Sequence, residues 1–234
     1  MKREDGFTVI EVLVAAVIGL VVFSGAMGLM SSSFKSSYGV QERTDAMQRG
    51  RAALDQITQA LRSQVCPDVK TNAVAPDVST NNSVTFYADL SDPTAPKPPV
   101  KHVLAYDAAT KQIVDSTVVG TALGDGTYAF TGTANRRVVL ESVDLVPNGS
   151  AGATLPFLSY WAYPRSLERV PNEQLQPLGS VLTAADAGRV ARIDVHFQVQ
   201  PTRTASTTYG TVLADQIAVR DADPNQSSPD PSCS

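Results

Sequence analysis

Residues Phe7 to Met30 form a run of 24 mostly apolar residues, FTVIEVLVAAVIGLVVFSGAMGLM, interrupted by one carboxylate, Glu11. As a helix rising about 1.5 Å per residue, such a run spans about 36 Å, enough to cross a hydrocarbon core of about 30 Å. An ionised side chain inside a membrane helix costs about 2.5–3.5 kcal/mol or more, so residues of this kind have a partner and a function. No lysine, arginine or histidine lies between Phe7 and Met30, so the partner of Glu11 must come from outside the run. Lys2 and Arg3 precede it, which keeps the N-terminus cytoplasmic and places the bulk of the chain outside. A secretory signal peptide has an apolar core of about 7–15 residues and a small-x-small cleavage site. This run is longer, carries Glu11 and lacks such a site at its far end. A plain anchor fits the length and leaves Glu11 unexplained.

The string Gly6-Phe7-Thr8-Val9-Ile10-Glu11, followed by Val12-Leu13-Val14-Ala15-Ala16, resembles the class III leader of the type IV pilin and type II pseudopilin superfamily. The resemblance implies that a prepilin peptidase cuts after Gly6, that Phe7 becomes the new N-terminus and is N-methylated, and that Glu11 accepts the N-terminal amine of a neighbouring subunit. It also implies the partners: prepilin peptidase, other pilin or pseudopilin subunits, an inner-membrane assembly platform and membrane lipid. The physics is consistent with this. A neighbour's ammonium neutralises Glu11 inside a helical bundle, where charge-assisted contacts are strong, and breaking a buried pair costs about 3–5 kcal/mol, which rewards correct register. Many major pilins carry a proline near the position of Gly28. This chain has Gly19, Gly25 and Gly28 instead, each lowering helix propensity by about 1 kcal/mol relative to Ala. Local flexibility and close helix packing both account for them.

Beyond Ser31-Ser32-Ser33 no proline occurs before Pro67. Met47, Leu54 and Leu61 recur at seven-residue intervals, with Ile57 and Val65 on the same side, while Arg49, Arg51, Asp55 and Arg62 are mostly on other faces. This apolar stripe predicts one helix from Phe7 to about Gln64, amphipathic in its second half and stopped by Pro67.

The remainder reads as strands: Ser83–Ala88, Lys101–Tyr106 and Lys111–Val119 joined by a hairpin turn at Asp107–Thr110, Val138–Leu140, Val143–Val146, Leu155–Tyr163, Ala191–Val199 and Thr208–Val219. Ile193, Val195, Phe197 and Val199 alternate onto one face. One long helix followed by strands is an α+β pattern: a pilin-like helix packed on an antiparallel β-rich domain. The expected organisation is a leader (1–6), an assembly helix (7–30), its amphipathic continuation (31–66), an extracytoplasmic head (67–220) and an irregular tail (221–234). The element order is similar to that of J-type pseudopilins and PilW-like minor pilins.

The net charge of −4, without a basic block, gives no support to nucleic-acid binding. The only cysteines are Cys66 and Cys233. Neither sits in a CxxC, which argues against structural zinc; outside the cytoplasm they are either bridged, pinning the tail to the helix, or two free thiols. The two histidines, His102 and His196, lie on strands with no nucleophile motif nearby. His196 reads as a solvated strand residue, and Asp107, Asp115 and Asp125 as turn carboxylates without EF-hand spacing. Trp161, with Tyr160 and Tyr163, reads as core packing rather than an adhesive patch. No catalytic residue, metal ligand or cofactor site is expected. The chain reads as a minor pilin, with a type II secretion pseudopilin or a membrane-anchored extracytoplasmic binding domain as alternatives.

Overall fold

The computed structural model describes residues 8–68, 71–89, 97–149, 152–163, 175–202 and 210–219. The chain forms two compact units, Met1–Thr44 and Asp45–Ser234. Helix α1 covers Val9–Arg62. In the first unit its large apolar side chains from Val9 to Val40 are exposed, Val9 and Leu29 by more than three quarters (79% and 77%).

The second unit contains the end of α1 and the strands β1 (Ser83–Ala88), β2 (Val100–Asp107), β3 (Gln112–Val119), β4 (Thr121–Ala122), β5 (Tyr128–Ala129), β6 (Asn135–Glu141), β7 (Val143–Asp144), β8 (Leu158–Ala162), β9 (Gln176–Pro177), β10 (Val190–Val199) and β11 (Thr211–Ala218), with a short helix α2 (Ala184–Ala187) before β10. The α+β layout is as the sequence indicated. Strands pair in the order β1-β2-β3-β6 in one sheet and β11-β10-β8-β9 in the other, where β7 pairs the end of β10 beyond β8. Every pairing is antiparallel.

Both sheets and α1 feed one core. Ile193, Val195, Phe197 and Val199 are fully buried, joined by Phe86, Ile113, Phe157, Leu158, Tyr160 and Ile217. The Tyr160 hydroxyl donates to the carbonyls of Thr80 (2.9 Å) and Ser83 (3.1 Å), linking β8 to the start of β1. Burial pushes its phenol pKa up.

The face of α1 that enters the core differs from the expected stripe. Ala46, Gly50, Ala53, Ile57, Thr58 and Leu61 are buried, whereas Met47, Leu54 and Val65 are half-buried. The reason is proximity. A Cβ on Gly50 would collide with Leu213 Cδ1 and lie 2.8 Å from Val199 Cγ2, so small residues let the helix backbone approach β10 and β11. Thr58 adds a hydrogen bond from its hydroxyl to Asp215 Oδ2 at 2.8 Å.

Pro67 is not the immediate helix stop. The helix ends at Arg62, and the chain turns to backbone pairing with β1: Val65 N–H donates to Tyr87 O at 2.9 Å and Asp89 N–H to Ser63 O at 3.2 Å. The expected strand at Val143–Val146 is reduced to two residues. It follows Ser142, whose φ of 58° breaks the run from β6. The hairpin at 107–111 forms as expected, with Lys111 closing it at φ 52° and Asp107 Oδ1 accepting from Ala109 N–H (3.0 Å) and Thr110 N–H (3.3 Å).

Candidate assembly site

Glu11 lies in the first turn of α1. Its N–H donates to Thr8 O at 3.1 Å, and the same carbonyl accepts from Val12 N–H at 3.3 Å. Its side chain is exposed among exposed valines and leucines, and among the described residues no cation pairs with it. The helix contains an 18-residue stretch of mean hydropathy 2.5, none of it buried. A helix apolar on all sides and uncovered is suited to lipid or to other helices, not to a soluble surface. Gly6 and Phe7, the expected cleavage and methylation residues, lie outside the described residues, as does Cys233. Among the described residues no cysteine is free.

Residues 1–27 match the family model of the prokaryotic N-terminal methylation motif. The chain carries a class III prepilin leader. The motif supports a type IV pilin or pseudopilin precursor, and with the apolar helix behind it supports a single-pass anchor in the inner membrane. The leader implies processing by prepilin peptidase and assembly with other pilins. No curated protein and no solved structure matches the chain. The prepilin motif was legible because its signal is local: a short string of residue types ahead of an apolar run.

The polar side chains of the head are arranged differently from the sequence expectation. Asp115 is not a turn residue: it lies within β3, 7% exposed, beside the equally buried His102. His102 Nδ1 is 3.1 and 3.2 Å from the two Asp115 oxygens. A carboxylate only accepts, so Nδ1 carries the proton. The imidazole stacks on Phe86 at 5.1 Å, and Arg137 Nη2 lies 3.7 Å from Asp115 Oδ2. With the Gln56 amide oxygen turned towards Arg137, the guanidinium also donates to α1 at 2.8 and 3.0 Å. The chain Gln56–Arg137–Asp115–His102 thus ties α1 to three strands. Its chemistry is that of a hydrogen-bonded structural pair. Asp115→Ala is expected to leave the buried His102 donor unpaired and to cost about 1–3 kcal/mol, read as a lowered urea midpoint. The double variant with His102→Phe should recover part of that loss, and no recovery would contradict the pairing.

His196 is half-buried rather than solvated, and its Nδ1 is buried without a hydrogen-bond partner among the described residues. Trp161 is outside the core. It lies on the opposite face of β8 from Tyr160, under the Arg192 guanidinium at 4.6 Å, and Asp194 holds Arg192 at 2.8 Å. Asp107 and Asp125 are turn carboxylates as expected. Thr110 holds Asp107, and Thr127 holds Asp125, below the usual carboxylate range. Whatever these turns contribute to stability is present above the unfolded-state value and is lost as pH falls through the lowered one. Among the described residues no group of three or more His, Cys, Asp or Glu side chains is placed to hold a metal.

Proposed function

We propose that the protein is a minor pilin of a type IV pilus, cut after Gly6, methylated at Phe7 and assembled through its N-terminal helix. Residues 1–6 are the leader, 7–30 the assembly segment, 31–66 its continuation, 67–220 the head outside the membrane and 221–234 a tail. The observation that carries this is the prepilin motif at residues 1–27 on an uncovered apolar helix whose one carboxylate, Glu11, has no cation beside it among the described residues. Glu11 takes as partner the amine that cleavage creates on a neighbouring subunit. The head supports the minor role: several of its strands, β4, β5, β7 and β9, are only two residues long, an irregular unit rather than a repetitive packing surface.

The experiment is quantitative mass spectrometry of sheared surface filaments. The protein should be present at well below the level of the major subunit. Its absence from filaments, together with a secretion defect on deletion, would overturn the reading in favour of a secretion pseudopilin. A bridge between Cys66 and Cys233 would pin the tail beside the end of α1. It predicts slower gel migration on reduction, and unchanged migration would contradict it.

A further inference from the structure

Past Met30, helix α1 runs on without a break through Ser31-Ser32-Ser33-Phe34-Lys35-Ser36-Ser37-Tyr38-Gly39. Phe34, Lys35 and Tyr38 are the only residues in that stretch larger than serine. Phe34 and Tyr38 stand four apart and share one side of the helix, with Lys35 three before Tyr38 on the adjoining strip. All three are exposed, Phe34 by 52% and Tyr38 by 62%. Among the described residues no other ring packs on either aromatic side chain. The stretch lies wholly within the first unit, Met1–Thr44, so one continuous helix relates it to the apolar run.

Met30 is the last residue of the apolar run and marks the edge of the hydrocarbon. At about 1.5 Å per residue, the Cα of Phe34 lies at most about 6 Å further out and that of Tyr38 at most about 12 Å. The headgroup layer is about 5–7 Å deep on each side of the bilayer. Helical side chains lean towards the N-terminus and cover the turn before their own Cα, a step of about 5.4 Å. Here that direction is back towards the membrane. The Phe34 ring therefore returns to the hydrocarbon edge, and the Tyr38 ring and hydroxyl to the headgroup layer. Lys35 has an apolar stem that follows the same path and a cationic end that reaches lipid phosphate. An aromatic ring with a polar tip is a side chain favoured at membrane–water interfaces.

We propose that Phe34, Lys35 and Tyr38 form a docking belt for the phosphate and glycerol layer of the outer leaflet while the chain is in the membrane. The proposal rests on the reading of residues 7–30 as a single-pass anchor with a cytoplasmic N-terminus. Two observations select lipid as the occupant. The belt adjoins the membrane span on the same helix, at the depth where the headgroups lie. The side of α1 that carries it also turns polar immediately beyond, at Gln41, Glu42 and Asp45, whereas a partner helix calls for an apolar stripe that runs on. Lys2 and Arg3 on the cytoplasmic side and this belt on the outer side together hold the helix at one depth.

The test uses the full chain in vesicles of phosphatidylethanolamine and phosphatidylglycerol, with photo-crosslinking benzoylphenylalanine in place of Phe34 or of Tyr38. Val21, inside the apolar run, and Thr44, beyond the belt, are the reference positions. Adducts are read by mass spectrometry. Phe34 and Tyr38 positions should crosslink to phospholipid at the headgroup, glycerol or first acyl carbons, at least tenfold more than Thr44, and the Val21 position to the acyl chains. Lys35→Glu should at least halve the phosphatidylglycerol share of the Tyr38 adduct. Adducts with a second copy of the chain in place of lipid, a lipid yield no higher than at Thr44, or a phosphatidylglycerol share unmoved by Lys35→Glu would overturn the proposal. Lipid at Val21 without lipid at Phe34 and Tyr38 means that the belt assignment alone fails, whereas no lipid at Val21 means that the anchor reading fails.

Discussion

Glu11→Val is expected to leave the precursor inserted in the membrane and to lower its recovery in sheared filaments at least tenfold. Insertion is unchanged or improved because the substitution removes the one carboxylate from an otherwise apolar helix, where its ionised form costs about 2.5–3.5 kcal/mol or more. Assembly falls because the neighbour's amine loses the acceptor that neutralises it. Breaking a buried pair by removing one partner costs about 3–5 kcal/mol, and a tenfold change needs only about 1.4 kcal/mol. Glu11→Gln separates charge from hydrogen bonding: it keeps an acceptor oxygen, so it should fall between wild type and valine. Wild-type recovery for Glu11→Val, with normal processing, would show that subunits register without this carboxylate.

Gly50→Leu should lower the stability of the head by about 3 kcal/mol, the upper end of the usual range for overpacking. In a unit of this size that is a fall of about 6–12 °C in melting temperature. The cause is steric. The first added carbon already meets Leu213 Cδ1 and lies 2.8 Å from Val199 Cγ2, and Val199 is fully buried at the end of β10, with little room to retreat. Gly39 is the control, because nothing lies within 4 Å of a Cβ built there. Gly39→Leu is expected to change stability by no more than about 1 kcal/mol, in the favourable direction, through helix propensity. Equal effects at the two glycines, measured by thermal unfolding of the full chain in detergent, would sink the close-approach explanation.

The contrast between Gly50 and Gly39 shows where sequence patterning reached and where it stopped. The apolar run with Glu11 was legible because lipid imposes its requirement on every residue of a segment. Strand β10 was legible because a half-buried strand alternates with period two, and Ile193, Val195, Phe197 and Val199 obey it. The buried face of α1 was read in part: Ile57 and Leu61 enter the core as the stripe indicated, whereas hydrophobicity also marks Met47 and Leu54 where contact with a sheet at short range is made by Ala46, Gly50 and Ala53. His102 and Asp115 were separated into a strand residue and a turn residue. Their union depends on the β2–β3 register, which pairs Val103 with Ser116 and so brings these flanking residues together. Trp161 followed the same logic: its neighbour Tyr160 took the core side, and alternation put the indole on the other face.

The central claim is that the first helix is an assembly device made by cutting at Gly6. The most direct measurement is mass spectrometry of the N-terminal peptide of the mature protein from purified membranes and sheared filaments. The account predicts a chain beginning at Phe7 with a methylated amine, and no mature species retaining residues 1–6. A mature protein with Met1 to Gly6 intact would contradict it, and would leave Glu11 without the partner on which the assembly mechanism depends.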